Sequence, residues 1–163
     1  MIRPPSLQRN YDTFYSGDES FTQLVRGDMD DAAWAAAVKE RIRVIGVCRE
    51  TGDWSQMLSG KGEPSKFTLR QVPGDVFRAL VDGWVGKRYG AAEFNQLMFR
   101  AAIVSVTNIG DAKVEQGVDD HYPQLGKIAT TAITNLLDGT GDMAIVNEIA
   151  SVIRDRQQAL SGK

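Results

Sequence analysis

Cysteine and histidine are almost absent from this sequence, which contains one of each, Cys48 and His121, among its 163 residues. A single cysteine cannot form an intramolecular disulfide, and one cysteine with one histidine cannot supply the three or four soft ligands of a zinc site. The two residues are also the only candidates for a cysteine–histidine nucleophile pair. Cys48 lies on the apolar side of a predicted helix and His121 stands just before Tyr122-Pro123, so we expect a buried thiol and a surface or capping histidine.

Long apolar runs and an excess of charge of one sign are missing as well. No stretch approaches the ~18 apolar residues of a bilayer span, and Met1–Ser6 is not followed by the apolar core of a signal peptide. The 19 basic and 21 acidic side chains leave a net charge of −2, which is too weak a field to hold nucleic acid or an anionic membrane. With 42% apolar and 25% charged residues the chain should fold, but we expect neither membrane nor nucleic acid as a partner.

Motifs for nucleotides and hard cations are also missing. Residues 139–144 match Gly-x-Gly-x-x-Ala, but the preceding stretch has helical spacing where a dinucleotide fold needs a strand. The acidic run lacks the alternating oxygens and central glycine of a calcium loop: Asp111, Glu115, Asp119 and Asp120. No set of base, nucleophile and oxyanion donors can be combined, so we expect no catalytic residues, no metal, no cofactor and no enzymatic activity.

The first 28 residues predict an extended arm, because Pro4-Pro5 disfavours a helix and polar and glycine residues interrupt the rest. The arm carries four aromatic residues, which is more apolar surface than a solvated tail usually keeps: Tyr11, Phe14, Tyr15 and Phe21. These rings either pack on the protein's own core or lie on a neighbouring subunit. Residues 29–163 are expected to form a single helical domain.

A first helix is predicted between Asp30, which can cap its start, and Gly52, which ends the apolar spacing. The glycine- and proline-rich stretch that follows predicts a loop. Lys66–Val72 then alternates apolar and polar residues, which is typical of a half-buried strand. A strand must pair its amides, so we expect its partner in the arm or on a second chain.

The remaining sequence predicts four further helices: from Asp75 to Gly90, from about Ala91 to Thr107, from Tyr122-Pro123 to Gly139, and from near Asp142 onwards. The segment Leu97–Val104 is apolar nearly all round and predicts the central helix of the core. The expected fold is therefore mainly α, a compact bundle of about five helices with one short strand and the extended N-terminal arm.

The order of features in the carboxy-terminal half resembles that of one protein family. A strand-like segment Phe67–Arg70 leads into a helix, a very apolar helix ends near Thr107, and an acidic connection follows. Tyr122-Pro123 then heads a helix that closes with Leu-Leu-Asp-Gly at residues 136–139. Over about residues 66–139 this order resembles the tail assembly chaperones of long-tailed bacteriophages, of the lambda type, which are small, mostly helical and non-enzymatic.

The resemblance implies a protein that escorts the long helical tape measure protein while the tail tube assembles, and then leaves. Its partners would be other phage tail or virion proteins, with self-association as a further expectation, and its location would be the host cytoplasm. A chaperone of helical clients needs exposed apolar stripes, and the candidates beside the arm aromatics are Phe94, Met98, Ile128 and Leu136. The alternative is a small structural component of the virion, held on its neighbours by the aromatic arm.

Overall fold

The computed structural model describes residues 10–110, 113–131 and 143–161. The chain forms two compact units. Unit 2 is the continuous stretch Phe14–Ser65, and unit 1 consists of the residues up to Thr13 together with those from Lys66 onwards. Unit 2 is therefore inserted into the sequence of unit 1.

The main element of unit 2 is the helix α1, Asp31–Thr51, which confirms the helix predicted between Asp30 and Gly52. The Asp30 side chain accepts a hydrogen bond from the amide of Ala33 at 2.7 Å and so caps the first turn. Gly52 ends the helix in the left-handed region, with φ at 75°, and its amide donates to the carbonyl of Cys48. Of the residues in α1, only Cys48 is buried.

The core of unit 2 is built around aromatic rings from its first residues. Its buried members are Phe14, Phe21, Cys48 and Met57. The ring of Phe14 lies 5.1 Å from that of Phe21 and 5.1 Å from that of Trp54. Backbone hydrogen bonds join the segment around Phe21 to the stretch after the 3-10 turn Ser55–Met57, for example from the Thr22 amide to the Met57 carbonyl at 2.8 Å.

A three-stranded sheet has the order β1 (Tyr11–Phe14), β2 (Lys66–Leu69) and β3 (Ile103–Thr107), and all its residues except Phe14 belong to unit 1. β2 and β3 pair antiparallel, and a register shift between Thr68 and Leu69 marks a bulge. The predicted strand is thus confirmed for residues 66–69. One of its neighbours is β1, which lies in the arm, the first of the two locations considered for its partner.

A two-stranded antiparallel sheet joins β4, Glu115–Val118, to β5, Lys127–Thr131. The connection contains the 3-10 turn Pro123–Leu125, which ends at Gly126 with φ at 68°. That backbone conformation is strained for residues with a side chain, which explains a glycine at the start of β5.

Three helices complete the described part of unit 1: α2 (Gly74–Val85), α3 (Ala91–Ala102) and α4 (Met143–Ser161). α3 is the central one and packs against α2, α4 and β5. Its side chains supply much of the buried core: Phe94, Leu97, Met98, Phe99, Ala101 and Ala102. Over the described residues 143–161, α4 confirms the helix predicted from near Asp142 onwards, and α2 ends before the predicted limit at Gly90.

The predicted five-helix bundle with one strand is wrong, because the fold mixes four helices with five strands in two sheets over the described residues. The helix predicted over residues 91–107 stops at Ala102, and Ile103–Thr107 continues as β3. Four of those five residues are β-branched, and such residues favour strands. The helix predicted to begin at Tyr122-Pro123 is a 3-10 turn followed by β5, and residues 132–139 lie outside the described residues.

None of the helices in the described parts of the chain is both long enough and apolar enough to cross a membrane.

Candidate functional site

Helix α2 has apolar residues on two faces. One face is buried in unit 1 and carries Val76 and Leu80. The other runs along Phe77, Val81 and Trp84, which follow each other at the four- and three-residue spacing of a helical stripe. Phe77 and Val81 are half-buried, and Trp84 keeps 44% of its surface exposed. A large indole that is this accessible is available for contact with another molecule.

The second face of α2 forms one wall of a groove, and α4 forms the other. We call it the α2–α4 groove; its larger part holds about 430 Å³ and is lined by Phe77, Val81, Trp84, Phe94, Ser151, Arg154, Asp155 and Gln158. An adjoining part of about 330 Å³ shares two of these residues and is lined by Gly74, Phe77, Arg78, Val81 and Gln157. Apolar side chains come mainly from α2 and polar ones mainly from α4.

The floor of the groove is aromatic. The indole of Trp84 stacks on the buried ring of Phe94, with centroids 4.9 Å apart and an interplanar angle of 20°. The guanidinium of Arg154 lies 5.8 Å from the centre of the same Phe94 ring. Tyr89 folds back over the end of α2, where its hydroxyl donates to the Leu80 carbonyl. The exposed indole therefore rests with one face on a buried ring.

The polar wall of the groove, which α4 supplies, is held in place by a hydrogen bond. Gln157 is buried, and its amide nitrogen donates to the carbonyl of Val72 at 2.9 Å, which ties α4 to the segment before α2. Arg78, Arg154 and Asp155 supply the charged groups of the lining. Within the described residues, neither Arg78 nor Arg154 makes an ion pair.

The four arm aromatics predicted to bind a partner have different surroundings. Phe14 and Phe21 are buried in the core of unit 2, which is the first of the two alternatives considered for them. Tyr15 is half-buried. Tyr11 is half-buried in unit 1, where the Arg156 guanidinium lies 3.9 Å from its ring centre. Burial raises the pKa of the Tyr11 hydroxyl to about 12, although the charge of Arg156 acts in the opposite direction.

The four predicted candidates from the carboxy-terminal half do not share one surface. Phe94 lies at the floor of the α2–α4 groove. Met98 and Ile128 are fully buried in unit 1, where no part of either side chain is accessible to a partner. Leu136 lies outside the described residues.

A second polar cluster connects α3 with the loop before β5. Arg100 donates to the Asp119 carboxylate at 2.6 Å and to the Ala129 carbonyl at 2.8 Å, and the bond from Arg100 lowers the pKa of Asp119. The Tyr122 hydroxyl donates to Glu93; this bond, with burial, raises the pKa of Tyr122 to about 12. The hydrogen-bond donors and acceptors of this cluster are paired with one another, and none of them is an activated nucleophile. The cluster is therefore a structural clamp between α3 and the loop before β5.

The one cysteine and the one histidine of the chain occupy very different environments. Cys48 is fully buried, as expected for this thiol. The His121 side chain is 88% exposed, with its Nδ1 3.4 Å from the Asp119 carboxylate. The residues that the structure describes hold no group of three or more potential metal ligands.

Sequence reasoning named Phe94 but missed the rest of the groove. The available signal was the second apolar stripe of α2, because Phe77, Val81 and Trp84 lie beside the core stripe at helical spacing. An apolar stripe beside the core stripe indicates side chains that the core does not fully cover, as the exposed Trp84 shows. The polar wall from α4 had no comparable signal.

Comparison of the chain with protein-family models, with curated protein sequences and with solved structures finds no match.

Proposed function

We propose that this chain is a non-enzymatic assembly factor that binds a helical segment of another protein in the α2–α4 groove. The observation that carries the proposal is the exposed Trp84 indole, stacked on Phe94 between an apolar and a polar wall. Aromatic anchors beside a groove provide most of the binding energy in many protein interfaces. An apolar stripe spaced at four and three residues also matches the geometry of helix-in-groove recognition.

The narrower proposal is that the client is a bacteriophage tail protein and that the chain acts as a tail assembly chaperone in the host cytoplasm. The resemblance that suggested this client stays a prediction. Its element order called for helices where the chain has β3 and β5, so support comes from the groove rather than from that order. A groove of this size suits a chaperone, because a chaperone must release its client and therefore needs a contact of modest area.

Mass spectrometry of purified, intact phage particles tests the narrower proposal. We expect this protein to be absent from finished particles or present in traces, and to co-purify with a helical tail protein from lysates in which tail assembly is blocked. Recovery from finished particles in stoichiometric amounts would overturn the chaperone proposal and favour a structural component of the virion.

Particle yield tests the role of the groove itself. Trp84→Ala should lower the yield of complete tails, because it removes the exposed anchor of the groove. Val85→Ala is the matched control, since Val85 follows on the same helix, is 69% exposed and does not line the groove. Equal yields from the two variants, both folded as judged by thermal unfolding, would contradict the proposal.

A further inference from the structure

We infer that the segment bound in the α2–α4 groove is an acidic amphipathic helix, whose apolar stripe covers Phe77, Val81 and Trp84 and whose carboxylates pair with Arg78 and Arg154. The inference rests on the proposed function and specifies the chemistry of the partner. The inference depends on the charges of the groove lining, whereas the proposed function depends on the exposed indole.

The apolar part of the site has the length of a short helical contact. Phe77 and Trp84 are seven residues apart on α2, which corresponds to about 10 Å along the helix at ~1.5 Å per residue. Two turns of a partner helix, with apolar residues at matching spacing, cover that distance. The apolar stripe of α2 is therefore as long as a contact with two turns of a partner helix.

The charged part of the lining selects the sign of the partner. Arg78 lines the smaller part of the groove and Arg154 the larger, whereas Asp155 is the one carboxylate among the lining residues that the structure describes. Within the described residues neither arginine has an ion-pair partner, and Arg154 is positioned over the face of Phe94. A guanidinium placed in this way offers planar donors to a carboxylate.

Electrostatic complementarity thus favours glutamates or aspartates on the flanks of the bound helix. A basic helix would meet two like charges, and like charges in an interface select against a partner. A neutral helix would gain the apolar contact alone.

Binding of three synthetic helices to the full chain tests this inference by fluorescence anisotropy. The peptides share one leucine stripe at four- and three-residue spacing and carry Glu, Gln or Lys at the flanking positions. We expect the Glu peptide to bind about three- to tenfold more tightly than the Gln peptide at low salt, with the advantage shrinking as salt is added. The Lys peptide should bind most weakly.

Two variants locate the effect. Arg78→Glu with Arg154→Glu should reverse the order, so that the Lys peptide binds most tightly. Lys39→Glu with Lys61→Glu is the matched control, because it changes the net charge equally and both residues belong to unit 2 and do not line the groove. The control should keep the original order. An equal shift in both double variants would overturn the inference in favour of a general charge effect.

Trp84→Ala separates failure of this inference from failure of the proposed function. If all three peptides bind equally and Trp84→Ala abolishes binding, the acidic preference is wrong and the groove stands as the binding site. If Trp84→Ala leaves binding unchanged in a folded protein, or no peptide binds, both the inference and the proposed role of the groove are wrong.

Discussion

The carboxylate of Asp18 accepts a hydrogen bond from the backbone amide of Ser65, 47 residues further along the chain, at 3.0 Å. The same carboxylate accepts the amide of Ser20 at 2.9 Å. Unit 2 ends at Ser65, so this side chain fastens the last residue of the unit to its first turn. Burial alone would raise the pKa of Asp18, but the bonds from Ser20 and Ser65 outweigh it and hold the pKa below its usual range.

Asp18→Asn should lower the free energy of unfolding at neutral pH by about 1–2 kcal/mol, because bonds from two amides to a charged acceptor are weakened. A lowered folded-state pKa contributes stability above the unfolded pKa of about 4, and this is lost as pH falls through the folded-state value. The difference between wild type and variant should therefore stay constant from neutral pH down to about pH 5 and shrink as the pH falls below about 4. Urea unfolding at several pH values measures it, with Glu19→Gln as control. A difference independent of pH would contradict this assignment.

The pair Arg100 and Asp119 should be coupled more strongly than an exposed ion pair. Their side chains are 16% and 19% exposed, so removing one partner leaves the other poorly hydrated. Single alanine variants should each cost about 1–3 kcal/mol, and the double variant should cost about 1 kcal/mol less than their sum. The exposed pair Arg43 and Glu40 is the control and should show coupling below about 0.5 kcal/mol. Additivity at Arg100 and Asp119 would refute the clamp.

The effect of Gly83→Ala on stability should change sign between the wild type and a Tyr89→Ala background. A Cβ at position 83 would lie 2.5 Å from the Tyr89 hydroxyl oxygen, so Gly83→Ala should displace the ring and cost about 1 kcal/mol. In a Tyr89→Ala background the same change should stabilise by about 0.5–1 kcal/mol, because alanine favours helix. Gly46→Ala in α1 meets no atom within 4 Å and should stabilise in the wild type. Thermal or urea unfolding gives each sign, and equal signs at position 83 would contradict the packing.

Ile103→Ala tests the core of unit 1. Ile103 is fully buried at the start of β3, and its truncation should cost about 2–5 kcal/mol of unfolding free energy. Val118→Ala in β4 removes a side chain that is 56% exposed and should change stability by less than about 0.5 kcal/mol. Similar costs for the two variants would place Ile103 outside the core.

The elements that the sequence predicts well have their signals within the element or at its ends. α1 is predicted to within a residue because Asp30 and Gly52 fix its start and end through local hydrogen bonds and backbone conformation. The last helix and the strand at Lys66 were recognisable from local periodicity in the same way. Local signals are sufficient when neighbouring residues determine the structure.

The elements that sequence misses depend on distant partners. Residues 103–107 are too short and too apolar for periodicity to separate helix from strand, and pairing with β2, far back in the chain, decides the outcome. β5 likewise depends on β4 and on the backbone of Gly126. Only one wall of the α2–α4 groove is predictable. The spacing of apolar residues in α2 indicates that wall, whereas tertiary packing sets the position of α4.

The insertion of unit 2 into unit 1 sets an order of events during synthesis on the ribosome. The buried cluster of unit 2 is complete once Ser65 has been added, because all its members precede that residue. β1 emerges earlier but must wait for β2, and the sheet is complete only after Thr107. At about 5–20 residues per second, roughly 2–8 seconds separate Lys66 from Thr107. All residues of unit 2 are therefore present in the nascent chain while β1 still lacks part of the sheet that it joins.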